Sequence, residues 1–171
     1  IKDSDLIKYL ELERLFYNRN YNQAINKIQL YLDECEDIEF RKILLQRQYI
    51  CCKRLYQRDE ARKAVDAMAA LEPENYFIPL AKCWVVDRTE ERIDILKQTK
   101  IRAPFDPQIS HRYAEELEEY FNYCNKSSLR PIPEDIVKEY KNSIQLNPSI
   151  SNQAWQGLFS FSNNIFAPIA N

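Results

Sequence analysis

Apolar side chains recur every three or four positions in nine separate stretches of the chain. In the first stretch, Leu12, Leu15 and Phe16 fall on one side of a helix with 3.6 residues per turn. This spacing predicts an all-α protein of about nine amphipathic helices. The predicted helices span residues 5–17, 21–34, 38–56, 59–71, 76–86, 89–103, 106–124, 134–146 and 151–163.

Three prolines mark the ends of predicted helices at a regular distance. Pro73, Pro104 and Pro148 each stand twelve residues after a position where a helical repeat places a small or apolar residue. Those earlier positions are occupied by Ala61, Arg92 and Ile136. Proline lacks the amide hydrogen and clashes with the preceding turn, so each one stops a helix of about three turns. The chain is therefore predicted to be a series of paired helices.

These paired helices resemble the tetratricopeptide repeat, whose unit is an antiparallel helix pair of about 34 residues. The clearest match is Ile-Gln-Leu-Asn-Pro at residues 144–148, followed by Ala154, Trp155 and Leu158. Residues 59–73 carry a second match of the same kind. The resemblance implies a right-handed superhelix, or solenoid, of about four and a half hairpins.

The resemblance extends over residues 5–163 and departs from the family at several positions. Arg92 and Ile136 replace the usual alanine, and the glycines of the family's turns are absent. We predict a single helical-repeat domain over residues 1–164 and an irregular tail over residues 165–171. Because the chain begins at Ile1 without methionine, we interpret it as a piece of a longer protein.

The resemblance also implies a position for a partner-binding groove. In tetratricopeptide proteins the first helix of each pair lines a concave surface that accepts an extended or helical peptide. The corresponding side chains here are Tyr9, Glu13, Phe16, Tyr17, Gln46, Ile50, Lys53, Arg54, Phe77 and Trp84. This aromatic and basic mixture suits a peptide with apolar anchors and acidic residues. Alternatively, several of the aromatic side chains form the core between repeats.

The last predicted helix has the character of an array end that no further helix covers. Its aromatic side chains Trp155, Phe159, Phe161 and Phe166 form a possible end interface. Exposed apolar surface of this kind packs against further repeats, a partner or a second copy of the chain. A homodimer is therefore a possible assembly.

Composition excludes several classes of protein. The single glycine, Gly157, excludes glycine-rich phosphate loops. A formal net charge of −2 gives no overall attraction to nucleic acid or anionic lipid. Five cysteines without CxxC spacing argue against a disulfide scaffold and a zinc module, and favour the cytoplasm or nucleus. We expect no membrane span, because charges interrupt every apolar run well before about 20 residues.

Few residues are candidates for catalysis or metal binding. His111 is the single histidine, and we predict that it is solvated on the surface of a helix. The carboxylates of Glu115, Glu116, Glu118 and Glu119 are interpreted as a solvated helix face. The Cys51-Cys52 pair is interpreted as buried packing. We therefore predict a protein that is not an enzyme and that has no catalytic residue, cofactor or metal.

Positive charge is concentrated in residues 41–63, where eight residues are basic and only Asp59 and Glu60 are acidic. One interpretation is a solvated convex face. The other is a site for an acidic peptide or for RNA phosphates.

Our first hypothesis is a scaffold subunit that binds a protein segment in its groove or self-associates through its apolar end. The anaphase-promoting ubiquitin ligase is an example of an assembly with such subunits. The alternatives are an RNA-binding or RNA-processing helical repeat that uses residues 41–63, and a regulatory helical segment of a large enzyme.

Overall fold

The computed structural model describes residues 3–124, 130–148 and 152–166. Within them the chain is all-α, with nine helices and no strand, as predicted. The helices are α1 (Asp3–Tyr17), α2 (Tyr21–Glu34), α3 (Ile38–Arg54), α4 (Arg58–Leu71), α5 (Phe77–Val85), α6 (Thr89–Arg102), α7 (Pro107–Tyr123), α8 (Pro133–Leu146) and α9 (Asn152–Phe166). None of these helices combines the length and apolarity needed to cross a bilayer.

Two turns adopt a backbone conformation that usually requires glycine. Arg19 and Tyr56, which follow α1 and α3, have φ angles of 57° and 58°. After each of them, the next amide donates to the carbonyl oxygen five residues earlier, from Asn20 to Leu15 at 2.9 Å in the first turn. This pattern is the Schellman motif, which satisfies carbonyl groups at a helix end. The chain therefore makes the family's turns without its glycines, at a cost of about 1–2 kcal/mol for each left-handed residue.

The helices form two compact units that divide between Val85 and Val86. Unit 1 contains α1–α5, and unit 2 contains α6–α9. The division falls inside the predicted third hairpin, because α5 packs on α4 while α6 packs on α7. The single domain over residues 1–164 stays a prediction. Helix α9 continues to Phe166, beyond the predicted start of the tail at residue 165.

In unit 1 each helix packs on the next, and the core lies between them. Leu12, Ile28, Leu44 and Val65 are fully buried and come from four successive helices. Ala61 and Ala64 place small side chains on the buried face of α4, which lets α3 approach closely. The apolar faces predicted from the sequence are therefore the faces that pack.

In unit 2 the core lies among α7, α8 and α9. Ile136 and Tyr140 of α8 are buried against Ala114 and Phe121 of α7 and against Phe161 of α9. The rings of Phe121 and Phe161 meet edge to face with centroids 5.6 Å apart.

Arg92 occupies a position where the repeat has alanine, and only 8% of its surface is exposed. Its Nε donates to Glu116 Oε2 at 2.6 Å, and its Nη2 donates to Glu119 Oε1 at 2.8 Å. Nη1 donates to the carbonyl oxygens of residues 86 and 87, and Nη2 also donates to the Thr89 hydroxyl. These five contacts match the five N–H donors of a guanidinium group. Arg92 therefore ties α6 and the turn before it to α7.

The prediction of a solvated glutamate face on α7 is wrong. Glu116 is 1% exposed and also forms an ion pair with Arg112 Nη2 at 2.6 Å. Glu118 accepts a hydrogen bond from the Tyr140 hydroxyl at 2.6 Å. Burial disfavours the Glu115 carboxylate, but His111 and Arg112 outweigh burial and hold its pKa below the ordinary value. These glutamates are engaged because α7 lies between α6 and α8 and presents polar positions to both.

Gly157 of α9 lies directly against the Tyr140 side chain of α8. A Cβ at this position would lie 2.6 Å from Cε1 and 2.7 Å from Cζ of Tyr140. The Tyr140 ring cannot yield easily, because it is buried and its hydroxyl is held by Glu118. The one glycine of the chain therefore serves helix packing rather than a turn.

We predict that Arg92→Ala, which introduces the residue that tetratricopeptide repeats have at this position, lowers the stability of unit 2 by about 3–5 kcal/mol, because it removes one of the two arginines that pair with buried Glu116. The measurement is urea unfolding followed by circular dichroism. Arg88→Ala is the matched control, since Arg88 is exposed. The double variant with Arg92→Ala and Glu116→Ala should lose much less stability than the sum of the losses of the two single variants. A loss below about 1 kcal/mol for Arg92→Ala would contradict the assigned role.

We predict that Gly157→Ala is destabilising by about 1–2 kcal/mol, because overpacking against Tyr140 outweighs the gain of about 1 kcal/mol in helix propensity. Gln156→Ala changes an exposed neighbour on the same helix and should be neutral or slightly stabilising. Thermal melts of both variants test the prediction. A Gly157→Ala variant at least as stable as the Gln156→Ala variant would show that α9 is not held against Tyr140.

Candidate functional site

The predicted groove lies in unit 1, on the side formed by α1, α3 and α5. Arg47 of α3 reaches α1, where its Nη2 donates to the Tyr9 hydroxyl at 3.0 Å and pairs with Glu13 Oε1 at 2.7 Å. Its guanidinium carbon also lies 5.2 Å from the Phe16 ring centroid. Tyr9, Glu13 and Phe16 are therefore brought together around one cation, as an inter-helix contact.

A second cluster joins α3 to α5. The ring of Tyr49 meets Phe77 at 5.6 Å and Trp84 at 6.3 Å between centroids, both edge to face. Lys53 Nζ lies 6.0 Å from the Trp84 centroid, and the guanidinium carbon of Arg58 lies 5.8 Å from it. Two cations therefore lie within cation–π distance of one half-buried tryptophan.

Gln46 and Phe77 line a cavity of about 290 Å³ between α3, α4 and the start of α5. Glu39 and Lys42 of α3 lie at the same cavity, and Met68 lies on its α4 side. The cavity adjoins the Tyr49 cluster through Phe77. It has room for one apolar side chain, and Glu72 also lies at its lining, where Lys42 pairs with both Glu39 and Glu72.

Not all of the predicted groove is available to a partner. Five of its side chains are half-buried against the unit 1 core, namely Tyr9, Phe16, Ile50, Phe77 and Trp84. Part of each of these side chains therefore belongs to the core between helices, which is the alternative interpretation. The predicted residues Tyr17, Gln46, Lys53 and Arg54 are exposed.

Tyr49 and Arg58 belong to the Trp84 cluster, although neither is among the residues predicted from the sequence, and Tyr49 is buried in the unit 1 core. Tyr49 lies three residues after Gln46 and four before Lys53, so helical spacing places it on the same face. Arg58 begins α4, and its place beside Trp84 depends on the left-handed turn at Tyr56.

The basic residues of segment 41–63 do not form one patch. Arg41 donates to the carbonyl oxygens of Leu32 and Cys35 at the end of α2. Arg62 donates to the carbonyl oxygen of Val85 at 2.7 Å. These arginines satisfy backbone groups at helix ends and lie on different helices. Of the run, Lys53 and Arg58 lie beside the Trp84 ring, and Arg47 lies beside the Tyr9 and Phe16 rings.

One residue of the predicted end interface is buried, and the interface itself stays a prediction. Trp155 and Phe159 are 42% and 61% exposed, and their rings stack with centroids 5.7 Å apart. Phe161 is 1% exposed, so it belongs to the core and is not available as an interface residue. Helical spacing explains the difference, because Ala154, Leu158 and Phe161 form the buried face of α9. The Phe166 side chain lies outside the described residues.

His111 is not the solvated residue that we predicted. Its side chain is mostly buried, with Nε2 at 3.4 Å from Glu115 Oε1 and its ring 6.0 Å from that of Tyr140. Helix α8 covers this side of α7, which a single helix pattern does not show. Cys51 and Cys52 are buried, in agreement with packing roles, and burial raises the pKa of the Cys51 thiol to about 12.

Similarity to known proteins is found at the level of structure. No family profile and no curated protein sequence matches the chain. A solved structure of MamA from Desulfovibrio magneticus RS-1, residues 41 to the end, is 12% identical with a TM-score of 0.65, and 99% of each chain is covered. The MamA RS-1 ArsTM double mutant is 11% identical with a TM-score of 0.66, covering 95% of this chain and 97% of that one.

A crystal structure of MamA has a TM-score of 0.65 at 11% identity, covering 90% of this chain and 83% of that one. The MamA structures have a tetratricopeptide-like helical-repeat fold. At these identities the likeness concerns the fold alone. It supports the tetratricopeptide-like assignment through structure.

We predict that Phe161→Ala destabilises unit 2 by about 3–5 kcal/mol, because it removes a buried ring from the core. Trp155→Ala should cost about 1 kcal/mol or less, because nearly half of the indole is already exposed. The two variants act as controls for each other in urea unfolding. Equal losses would show that the Trp155 side of α9 is also core. Gel filtration of Trp155→Ala tests separately whether this side holds two copies together.

Proposed function

We propose that the chain is a non-enzymatic protein-interaction module that binds a partner peptide on the α1, α3 and α5 side of unit 1. The observation that carries this proposal is that Lys53 and Arg58 both lie within 6.0 Å of the Trp84 ring centroid, in a cluster that reaches the cavity through Phe77. Aromatic side chains and arginine dominate the binding energy of many protein interfaces. A groove that combines them with a side-chain cavity suits a short peptide segment.

The chemistry of this surface defines the partner segment. Lys53, Arg54 and Arg58 are exposed and positively charged. Arg47 adds no net charge, because it is paired with Glu13. The partner is therefore a segment with one apolar or aromatic anchor for the cavity and acidic residues beside it.

The alternative of RNA binding receives less support from the same contacts. Arg41 and Arg62 donate to backbone carbonyl groups, and Lys63 pairs with Glu60 at 2.7 Å. A continuous phosphate path needs cations aligned on one face. Membership of an assembly such as the anaphase-promoting ubiquitin ligase, and a role as a regulatory segment of an enzyme, stay hypotheses. We place the protein in the cytoplasm or nucleus, where the cysteines stay reduced.

The proposal predicts the sequence of peptides selected from a random 12-residue phage library on the purified chain. We expect acidic peptides with an aromatic or aliphatic anchor. Because the chain has two tryptophans, a Trp155→Phe background leaves Trp84 as the single indole, and its emission should change on binding. Lys53→Glu together with Arg58→Glu should weaken the binding of the selected peptides at least about tenfold.

The matched control is Lys97→Glu together with Lys141→Glu, which reverses two exposed charges in unit 2. It should leave affinity within about twofold. Equal binding to both double variants, or selected peptides without acidic enrichment, would refute the proposed site. Tighter binding of a single-stranded RNA, with a log-linear loss of affinity as salt rises, would favour the alternative.

A further inference from the structure

Unit 2 contains a cavity of about 460 Å³ between α6, α7 and α8. This volume falls in the range of small-ligand sites in proteins. Each of the three helices contributes residues spaced three or four positions apart, so one face of each helix borders the cavity. The cavity belongs to a different unit from the proposed peptide site, and the described residues that line it are all distinct from those of that site.

The wall formed by α7 is apolar and aromatic. Tyr113, Leu117 and Tyr120 follow one another along this helix, and Ile93 of α6 lies opposite them. Leu117 is buried and belongs to the unit 2 core, whereas the two tyrosines are half-buried. An aliphatic stem bound here would pack against these apolar and aromatic side chains.

The walls formed by α6 and α8 are acidic. Glu90 and Asp94 come from α6, and Asp135 and Glu139 come from α8. Among the described lining residues, Lys138 is the one cation. Glu139 is already neutralised by an ion pair with Lys100 of α6. The other three carboxylates are exposed at the cavity without an ion-pair partner among the described residues.

Two further observations relate the carboxylates and the aromatic wall, which line the same cavity. Burial raises the pKa of the Tyr113 hydroxyl, and the charges of Glu139, Asp135 and Asp94 raise it further. Carboxylates from both flanking helices therefore lie near this hydroxyl. In addition, Lys100 Nζ lies 5.9 Å from the Tyr113 ring centroid, so the ring already accepts one cation of the chain itself.

We propose that this cavity binds an organic cation on an aliphatic stem, such as a lysine side chain of a peptide or a free alkylamine. The ammonium group lies between Asp94 and Asp135, and the stem packs against Tyr113 and Leu117. The two carboxylates supply attraction that a neutral ligand of the same shape does not receive. Lys138 opposes the ligand, since it is a like charge at the same cavity, and Lys100 beside the Tyr113 ring is a second one.

The test is titration calorimetry of the intact chain with Nα-acetyl-lysine N-methylamide and, separately, with n-pentylamine. The norleucine analogue of the first probe has the same stem without the charge and should bind at least about tenfold more weakly. Asp94→Asn together with Asp135→Asn should weaken both cationic probes at least about tenfold. Lys138→Gln should tighten them by about two- to fivefold, because it removes a like charge.

Glu91→Gln together with Glu134→Gln is the matched control, since these exposed carboxylates lie on α6 and α8 outside the described lining of the cavity. Tighter binding of the lysine derivative would assign the site to a peptide side chain, and tighter binding of pentylamine would assign it to a free amine. Amide shifts of Ile93 and Leu117 in heteronuclear NMR should accompany binding of either probe.

Three results would overturn the proposal. These are equal binding of the norleucine analogue, an equal effect of the control and test variants, and no detectable heat up to about 20 mM of either cation. Because all four acidic positions that are changed are exposed, the variants should fold, and circular dichroism checks this. If the double variant with Asp94→Asn and Asp135→Asn did not fold, the affinity of Lys138→Gln for the cationic probes would test the proposal, and unchanged affinity would refute it.

Discussion

An amphipathic helix pair buries one face within the pair and leaves another that only a neighbouring helix can cover. This requirement governs both units. In unit 1 it is met by apolar side chains, with Leu12, Ile28, Leu44 and Val65 filling the space between consecutive helices. In unit 2 it is met partly by polar groups. There, Arg92 and Tyr140 reach α7 from either side and end on its glutamates.

The polar solution in unit 2 has an energetic consequence. Removing a guanidinium and a carboxylate from water costs several kcal/mol for each ion, and their attraction offsets this only when the remaining donors and acceptors are satisfied. Arg92 meets the condition with five acceptors. Such a group stabilises one arrangement of α6 on α7 far more than any shifted one, since a shift leaves buried donors without partners. The family's alanine would permit several nearby arrangements.

The helices and their buried faces could be predicted from the sequence, because both depend on local spacing. Helix α9 shows the limit of that approach. Its period identifies Ala154, Leu158 and Phe161 as one face, yet aromatic character alone places buried Phe161 at an interface together with exposed Trp155 and Phe159. The prediction for the α7 glutamates is wrong for a related reason. A helix that packs between two others has polar positions on both flanks, and only the tertiary arrangement shows which groups face them.

The candidate sites depend on where the charged side chains lie in the fold. The run at residues 41–63 has the composition of a basic patch, but Arg41, Arg47 and Arg62 are used at helix ends or against Glu13. Lys53 and Arg58 are exposed beside an aromatic ring. In unit 2, Lys100 is paired with Glu139, and Asp94 and Asp135 line the cavity. The two proposed sites therefore rest on charged side chains beside aromatic rings, which are cationic in unit 1 and anionic in unit 2.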